Sequence, residues 1–278
     1  MSALDRQAVY DDVLTEYEVL DTRLRALSAE TWDLPTPAPG WSVRDQISHL
    51  AYFDDAARLA VADPNAFAEL RRQALANLEG FVDAVRREHR GDDPGQLLAW
   101  WRDERHRMVE AFRAADPTRR VPWFGPAMTV PSQATARLME TWAHGQDIAD
   151  ALGLPPVVSL RLRHIAHLGV RAFANSFRAR GLAVPDTAVR VELTAPDGSL
   201  WAFGPPEAAD RVSGPALDFC MVVTQRRHPA DTGLQTIGDV AHRWVAFAQA
   251  FAGRPGTGRQ PGEFPVFAEA QDTTRETR

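Results

Sequence analysis

Glu140 and His144 stand four residues apart in the stretch Glu140-Thr141-Trp142-Ala143-His144-Gly145-Gln146-Asp147, a spacing that on a helix aims a carboxylate and an imidazole at the same small volume. Both are metal-ligand types. A third donor, His49, follows the motif Gly40-Trp41-Ser42-Val43-Arg44-Asp45. Together His49, Glu140 and His144 would make a two-histidine, one-carboxylate set with coordination positions left open for water or substrate. The competing reading is a solvated face with an incidental Glu–His pair and a separate buried, neutral histidine, because such pairs arise often by chance. Asp147, one turn beyond His144 on the same face, could orient a ligand or accept a proton, or be a simple surface carboxylate.

The elements that must position these groups read as helices. Val9, Val13, Tyr17, Leu20, Leu24 and Leu27 recur at spacings of three and four, which predicts an amphipathic helix over residues 5 to 29. The proline-rich stretch from Leu34 to Gly40 ends it, and Ser42 with Asp45 three residues on forms a capping-box signal for the helix carrying His49, which runs to about Val61. Asp63-Pro64 and Asp93-Pro94 each restart the chain, predicting helices near 65 to 89 and 94 to 115. A connection rich in proline and aromatics, with Trp123-Phe124-Gly125-Pro126 at its centre, leads to Ser132, the expected cap of the Glu140/His144 helix, which stops at Gly153. On that last helix Glu140, His144, Asp147, Ala136 and Ala151 share one face beside the apolar face of Leu138, Trp142, Ile148, Ala149 and Leu152, so the acidic face lies off the core stripe. His49 shares its own face with Phe53, Ala56 and Ala60, which turns it inward.

Composition bounds the function. A chain of 278 residues, 45% hydrophobic, is long enough for two domains, and a net charge of −6 argues against a nucleic-acid partner. The basic residues are all arginine, which excludes a Schiff-base lysine and with it pyridoxal-phosphate chemistry. The single cysteine, Cys220, lies in the apolar run from Leu217 to Val223 and reads as a core residue in a reducing cytoplasm. No signal segment and no apolar run of membrane-spanning length is present, so the expectation is a soluble cytoplasmic protein with a small-molecule substrate and no membrane partner.

The second half changes character. After a helical pattern at 160 to 180, Val189 to Thr194 alternates as a strand, Pro196-Asp197-Gly198 turns, and Leu200 to Phe203 returns; a short strand near 210 to 213 and helices at 215 to 224 and 234 to 252 complete a small α/β unit. His164 and His167, three residues apart, could bind metal but read better as locally hydrogen-bonded histidines. Trp100-Trp101 reads as a packing anchor, and Trp123 with Phe124 as the apolar wall of a substrate or cofactor pocket over the metal helix.

Gly40-Trp41-Ser42-Val43-Arg44-Asp45 leading to His49-Leu50, together with Glu140, His144 and the following Gly145-Gln146-Asp147, resembles the mycothiol-dependent maleylpyruvate isomerase family within the DinB-like metalloenzyme bundles. The resemblance implies an α+β fold, with a DinB-like antiparallel helix bundle over 1–156, and a further helix and a small α/β domain with an antiparallel sheet, similar to sterol carrier proteins, over 157–253. The glycine- and proline-rich stretch after Gly253 reads by its composition as a flexible tail over 254–278. It implies a divalent metal, usually taken as zinc, on His49, Glu140 and His144, and mycothiol as co-substrate of an isomerase or transferase. It also implies an arginine of the second domain that reaches the substrate's anionic group. Arg226 is the best match, although Gln225 stands where the family often has glycine and Arg227 is adjacent; a solvated arginine at a helix end is the plain alternative. Two further readings stand beside this one: a bundle metalloenzyme of hydrolytic, eliminative or cyclising type that uses no thiol, and a non-catalytic metal- or ligand-binding protein.

Overall fold

The computed structural model describes residues 3–264. In chain order the elements are α1 (Ala3–Leu24), α2 (Val43–Ala62), α3 (Pro64–Ala76), α4 (Leu78–Glu88), α5 (Pro94–Ala114), β1 (Arg120–Val121), β2 (Met128–Thr129), α6 (Val130–Ala151), α7 (Leu162–Arg171), α8 (Phe173–Arg178), β3 (Val189–Thr194), β4 (Leu200–Phe203), β5 (Asp210–Pro215), α9 (Ala216–Val223), β6 (Gln235–Ile237) and α10 (Asp239–Val245).

The apolar stripe of α1 is buried as its spacing predicts, with Val9, Val13, Tyr17, Leu20 and Leu24 all in the core. It packs on α5 and α6, and α2 packs on the same two helices, so four long helices surround one core. The start of α2 is fixed by the predicted capping box: the Ser42 hydroxyl accepts from the Asp45 N–H, and the Ser42 N–H donates to Asp45 Oδ2 at 2.9 Å. Asp63 and Asp93 cap α3 and α5, each followed by a proline in the first turn, where a missing N–H costs nothing.

Several boundaries differ from the sequence reading: the helix expected over 5 to 29 ends at Leu24, and the helical pattern over 160 to 180 is two helices broken at Ala172. The helix expected over 65 to 89 is two, because the Asn77 side chain accepts from the Gly80 N–H at 3.0 Å and starts α4 afresh. The cap of α6 is Thr129 and not Ser132, since Pro131 fits the first turn and lets the helix begin earlier. The region expected as one helix over 234 to 252 opens as β6, an edge strand paired with β5, before α10 begins.

The larger sheet has the order β4-β3-β5-β6. Its outer pairs are antiparallel as expected, and its central pair, β3 with β5, is parallel. α9 lies on β3 and β5, and α7 touches both α9 and α6, which ties the sheet unit to the bundle. Where α7 crosses α9, Gly169 is obligatory: a Cβ there would lie 2.9 Å from a Val223 methyl. Cys220 on α9 is fully buried, burial pushes its thiol far above the ordinary range, and it is not available as a nucleophile. Of the segment 254–278, residues 265–278 lie outside the described residues; Arg259 returns to the bundle, as described below. Among the described residues no helix is long and apolar enough to cross a membrane.

Candidate metal centre

His49 projects from α2, and Glu140 and His144 from successive turns of α6, where α2 and α6 pack together. One donor atom from each lies within 4.8 Å of the others, and among the described residues no other three histidine, cysteine or carboxylate donors converge in this way. Two atoms bound about 2.1 Å from one ion are at most about 4.2 Å apart, a spacing close to the 4.8 Å that bounds this set.

The hydrogen bonds around His144 fix its tautomer. The Thr36 hydroxyl gives its one proton to the Trp41 carbonyl at 2.9 Å, so Thr36 Oγ1 accepts from Gln46 Nε2 at 2.8 Å. That pins the Gln46 amide with Oε1 toward His144, and the His144 Nδ1–H donates to it. The Nε2 of the neutral ring therefore turns a lone pair, not a hydrogen, toward Glu140 Oε2 at 3.2 Å. Two lone pairs facing each other require positive charge, either as a second proton on the ring or as a cation held between them. This arrangement of an outer acceptor orienting a ligating imidazole is a common feature of metal sites.

His49 supplies a second indication. Its Nδ1 is buried without a hydrogen-bond partner, and an orphaned buried nitrogen calls for an explanation. Burial, reinforced by His144, Arg137 and Arg226, holds this imidazole neutral well below the usual histidine range against the opposing pull of Glu140, and neutral imidazole is the ligating form. Burial also works against ionised Glu140, but His144, Arg137 and His49 more than offset it and bring that carboxyl down to about 2. The donor set thus comprises one anion and two imidazoles, one of them held neutral, which fits a divalent cation of the zinc type.

Beneath the three donors lies a buried ionic layer. Asp54, fully buried, accepts from Arg137 Nε at 2.8 Å, from the Tyr17 hydroxyl at 2.7 Å and from Trp101 Nε1 at 3.2 Å. Although burial opposes its charged form, Arg137 is held still further above the ordinary arginine range, chiefly by Asp54. Arg137 sits one turn before Glu140 on α6, so this layer fixes the helix register that presents the carboxylate.

The remaining predicted residues fall in two places. Asp147 is not a surface carboxylate: it is fully buried, with Oδ2 taken by Arg226 at 2.8 Å and Oδ1 by Arg259 at 2.7 Å. The face of α6 expected beside the core is therefore covered, because the turn after α9 and the segment near 259 both close over it. Arg226 is anchored by its own bond to the Thr224 carbonyl at 2.6 Å, its Nε is buried and unpartnered, and its charge is felt at His49. Arg227 makes a separate two-pronged pair with Asp150.

Trp123 and Phe124 join Phe53, Phe67 and Phe81 in an aromatic cluster: Trp123 stacks on Phe67 at 5.8 Å, and Phe124 meets Phe53 edge-on at 5.5 Å. Phe53 lies against the His49 ring at 4.5 Å and separates the pair from it. Trp100 stacks on His89 at 4.3 Å and Trp101 is core, as a packing anchor should be. His164 is engaged with Asp12 at 2.8 Å.

Sequence reasoning passed over the roles of three contributors, Trp41, Gln46 and Arg259. Trp41 stacks on His144 at 5.9 Å and meets His49 edge to face at 5.2 Å, with the Arg86 guanidinium over its ring at 4.7 Å. Gln46, three residues before His49 on α2, was discoverable from that spacing alone. Arg259 carried no local signal at all.

Residues 13–149 match the family described as mycothiol maleylpyruvate isomerase N-terminal domain, and residues 185–234 match one described as wyosine base formation. Two proteins of Mycobacterium tuberculosis, uncharacterized protein MT0041 of strain CDC 1551 / Oshkosh and uncharacterized protein Rv0036c of strain ATCC 25618 / H37Rv, are each 48% identical over 248 residues, covering 89% of this chain and 96% of theirs. In fold the chain is similar to two crystal structures of mycothiol-dependent maleylpyruvate isomerase, one of them a histidine-to-alanine mutant. Their TM-scores are 0.56 and 0.53, each at 14% identity and covering 85% of this chain and 95% of that one.

Proposed function

The chain belongs to the mycothiol maleylpyruvate isomerase N-terminal domain family, and from that premise we propose that it is a divalent-metal enzyme using a low-molecular-weight thiol of the mycothiol type to isomerise, or transfer the thiol to, a small activated substrate. The observation that carries the reading is the His49, Glu140 and His144 set with the His144 lone pair held toward Glu140 by Gln46. The metal is zinc, the cation best matched to two imidazoles and a carboxylate. When bound it lowers the acidity threshold of a coordinated thiol, so that a strong nucleophile exists at neutral pH.

The chain's own side chains do the rest. Its one thiol is buried in α9, so the nucleophile comes from the co-substrate. Arg226 brings a guanidinium beside His49 with an unspent Nε–H, suited to a carboxylate on the substrate or the thiol. Asp147, with both oxygens held by arginines, is poorly placed to take a proton and instead positions Arg226. Trp41 forms the apolar wall against the two imidazoles, and the Trp123/Phe124 cluster reaches His49 through Phe53.

The test is a thermal-shift and turnover screen of zinc-replete protein with and without mycothiol, using maleylpyruvate as the first substrate. Mycothiol is expected to raise the melting temperature of the wild type only when metal is present. Arg226→Ala is expected to weaken substrate binding about 10- to 100-fold, the loss of one charge-assisted pair, with metal content unchanged. Metal-dependent turnover that proceeds equally without thiol would replace this reading with the hydrolytic or eliminative one.

A further inference from the structure

A cavity of about 190 Å³ has none of His49, Glu140 or His144 in its lining. Its wall is formed by the stretch after α8, the turn after α9, the end of α10 and the segment around Gly256 to Gln260. Three arginines, Arg180, Arg227 and Arg259, and one histidine, His228, line it, and no carboxylate does. That is an unusual lining in a chain with a net charge of −6.

Two of the three arginines are already paired with carboxylates, Arg227 with Asp150 and Arg259 with Asp147, which it shares with Arg226. Arg180 is not. Its guanidinium reaches only the Ser176 carbonyl, the Gln249 amide oxygen and the Gly256 carbonyl, each at 3.5 Å, the outer limit of a hydrogen bond, and it lies over the Phe247 ring at 5.0 Å. Among the described residues no carboxylate pairs with it. Partial burial disfavours its charged form and nothing opposes this, yet an arginine does not give up its proton in a protein. A half-buried, permanent cation with poor hydrogen bonds is costly unless an anion completes it. The cavity has the volume of about six waters, enough for a compact molecule with one anionic head.

We infer that this cavity is a second ligand site, binding a small oxyanion, a carboxylate or a phosphate, on Arg180. Arg180 takes the anion through the N–H groups that now make only marginal contacts. His228 and the uncharged atoms around Gly256 offer further polar surface for the ligand's remainder. The site does not depend on metal at the bundle centre.

The experiment is a melting-temperature titration of the full chain with inorganic phosphate and, separately, with acetate and succinate, at ionic strength held constant with sodium chloride. At least one of these anions is expected to stabilise the wild type saturably, and which one identifies the head group. Arg180→Gln should weaken that response tenfold or more, Arg180→Lys should retain part of it, and His144→Ala should keep it in full. Absence of any effect beyond chloride, or an equal response in Arg180→Gln, overturns the proposal. Crystals of the wild type soaked in selenate give a reading that needs no variant: an anomalous peak within hydrogen-bonding distance of Arg180 is expected, and selenate peaks elsewhere with none there would refute it.

Discussion

His144→Ala protein is expected to purify with less than about a tenth of the wild-type metal content, to lose turnover, and to keep its helical circular dichroism. Removing an outer-sphere partner of a metal ligand already costs about 10- to 100-fold in affinity, and this change removes the ligand itself. What remains is His49, whose Nδ1 has no partner, and Glu140, whose imidazole neighbour is gone. The fold has little reason to respond. The buried stripe of α6 is built from Leu138, Trp142 and Ile148, and His144 contributes ring contacts with Trp41 and His49, the bond to Gln46 and the contact with Glu140. A destabilisation of about 1 kcal/mol is in keeping with such a site. Global unfolding of the variant would mean that metal binding and folding are one event, as in small metal-built domains.

Asp54→Ala should produce the opposite pattern, a large stability loss. The substitution leaves the Arg137 guanidinium, 2% exposed, without its carboxylate, and the Tyr17 hydroxyl and Trp101 indole without an acceptor. Breaking a buried pair by removing one partner costs about 3 to 5 kcal/mol, a large part of the roughly 5 to 15 kcal/mol that holds a protein folded. The melting temperature should fall by roughly 6 to 20 °C, at about 2 to 4 °C per kcal/mol for a chain of this size. Urea melts of Asp54→Ala, Arg137→Leu and the double variant check the origin of the loss: the double variant should be less destabilised than the sum of the singles, because it leaves no unpaired charge. Additive losses would show that Asp54 and Arg137 act separately.

What could be read from the chain alone was what lies close together along it. Ser42 and Asp45 are three residues apart and Glu140 and His144 four, so helix geometry fixes their relation before any tertiary contact forms. Adding His49 needed the motif around Trp41, since nothing local ties α2 to α6. The layer under the site was illegible for the same reason: Asp54 meets Tyr17 across 37 positions and Arg137 across 83. Arg259 is the extreme case, closing on Asp147 across 112 positions and on the Pro37 carbonyl across 222 from a stretch rich in glycine and proline. In the second half, β6 is a three-residue edge strand, too short for an alternating pattern to separate it from the helix that follows. The parallel β3–β5 pair depends on β4 folding back to the far side of β3, a choice of sheet order that no single strand's sequence encodes.

The central claim is that His49, Glu140 and His144 jointly hold one divalent cation, and anomalous diffraction at the zinc edge from zinc-replete crystals, with elemental analysis of the same preparation, tests it most directly. The expected result is about one zinc per chain and a single strong peak about 2.0 to 2.2 Å from a nitrogen of each histidine and an oxygen of Glu140. A replete preparation with less than about a tenth of an equivalent of any divalent metal, or a peak held by other residues, would contradict it.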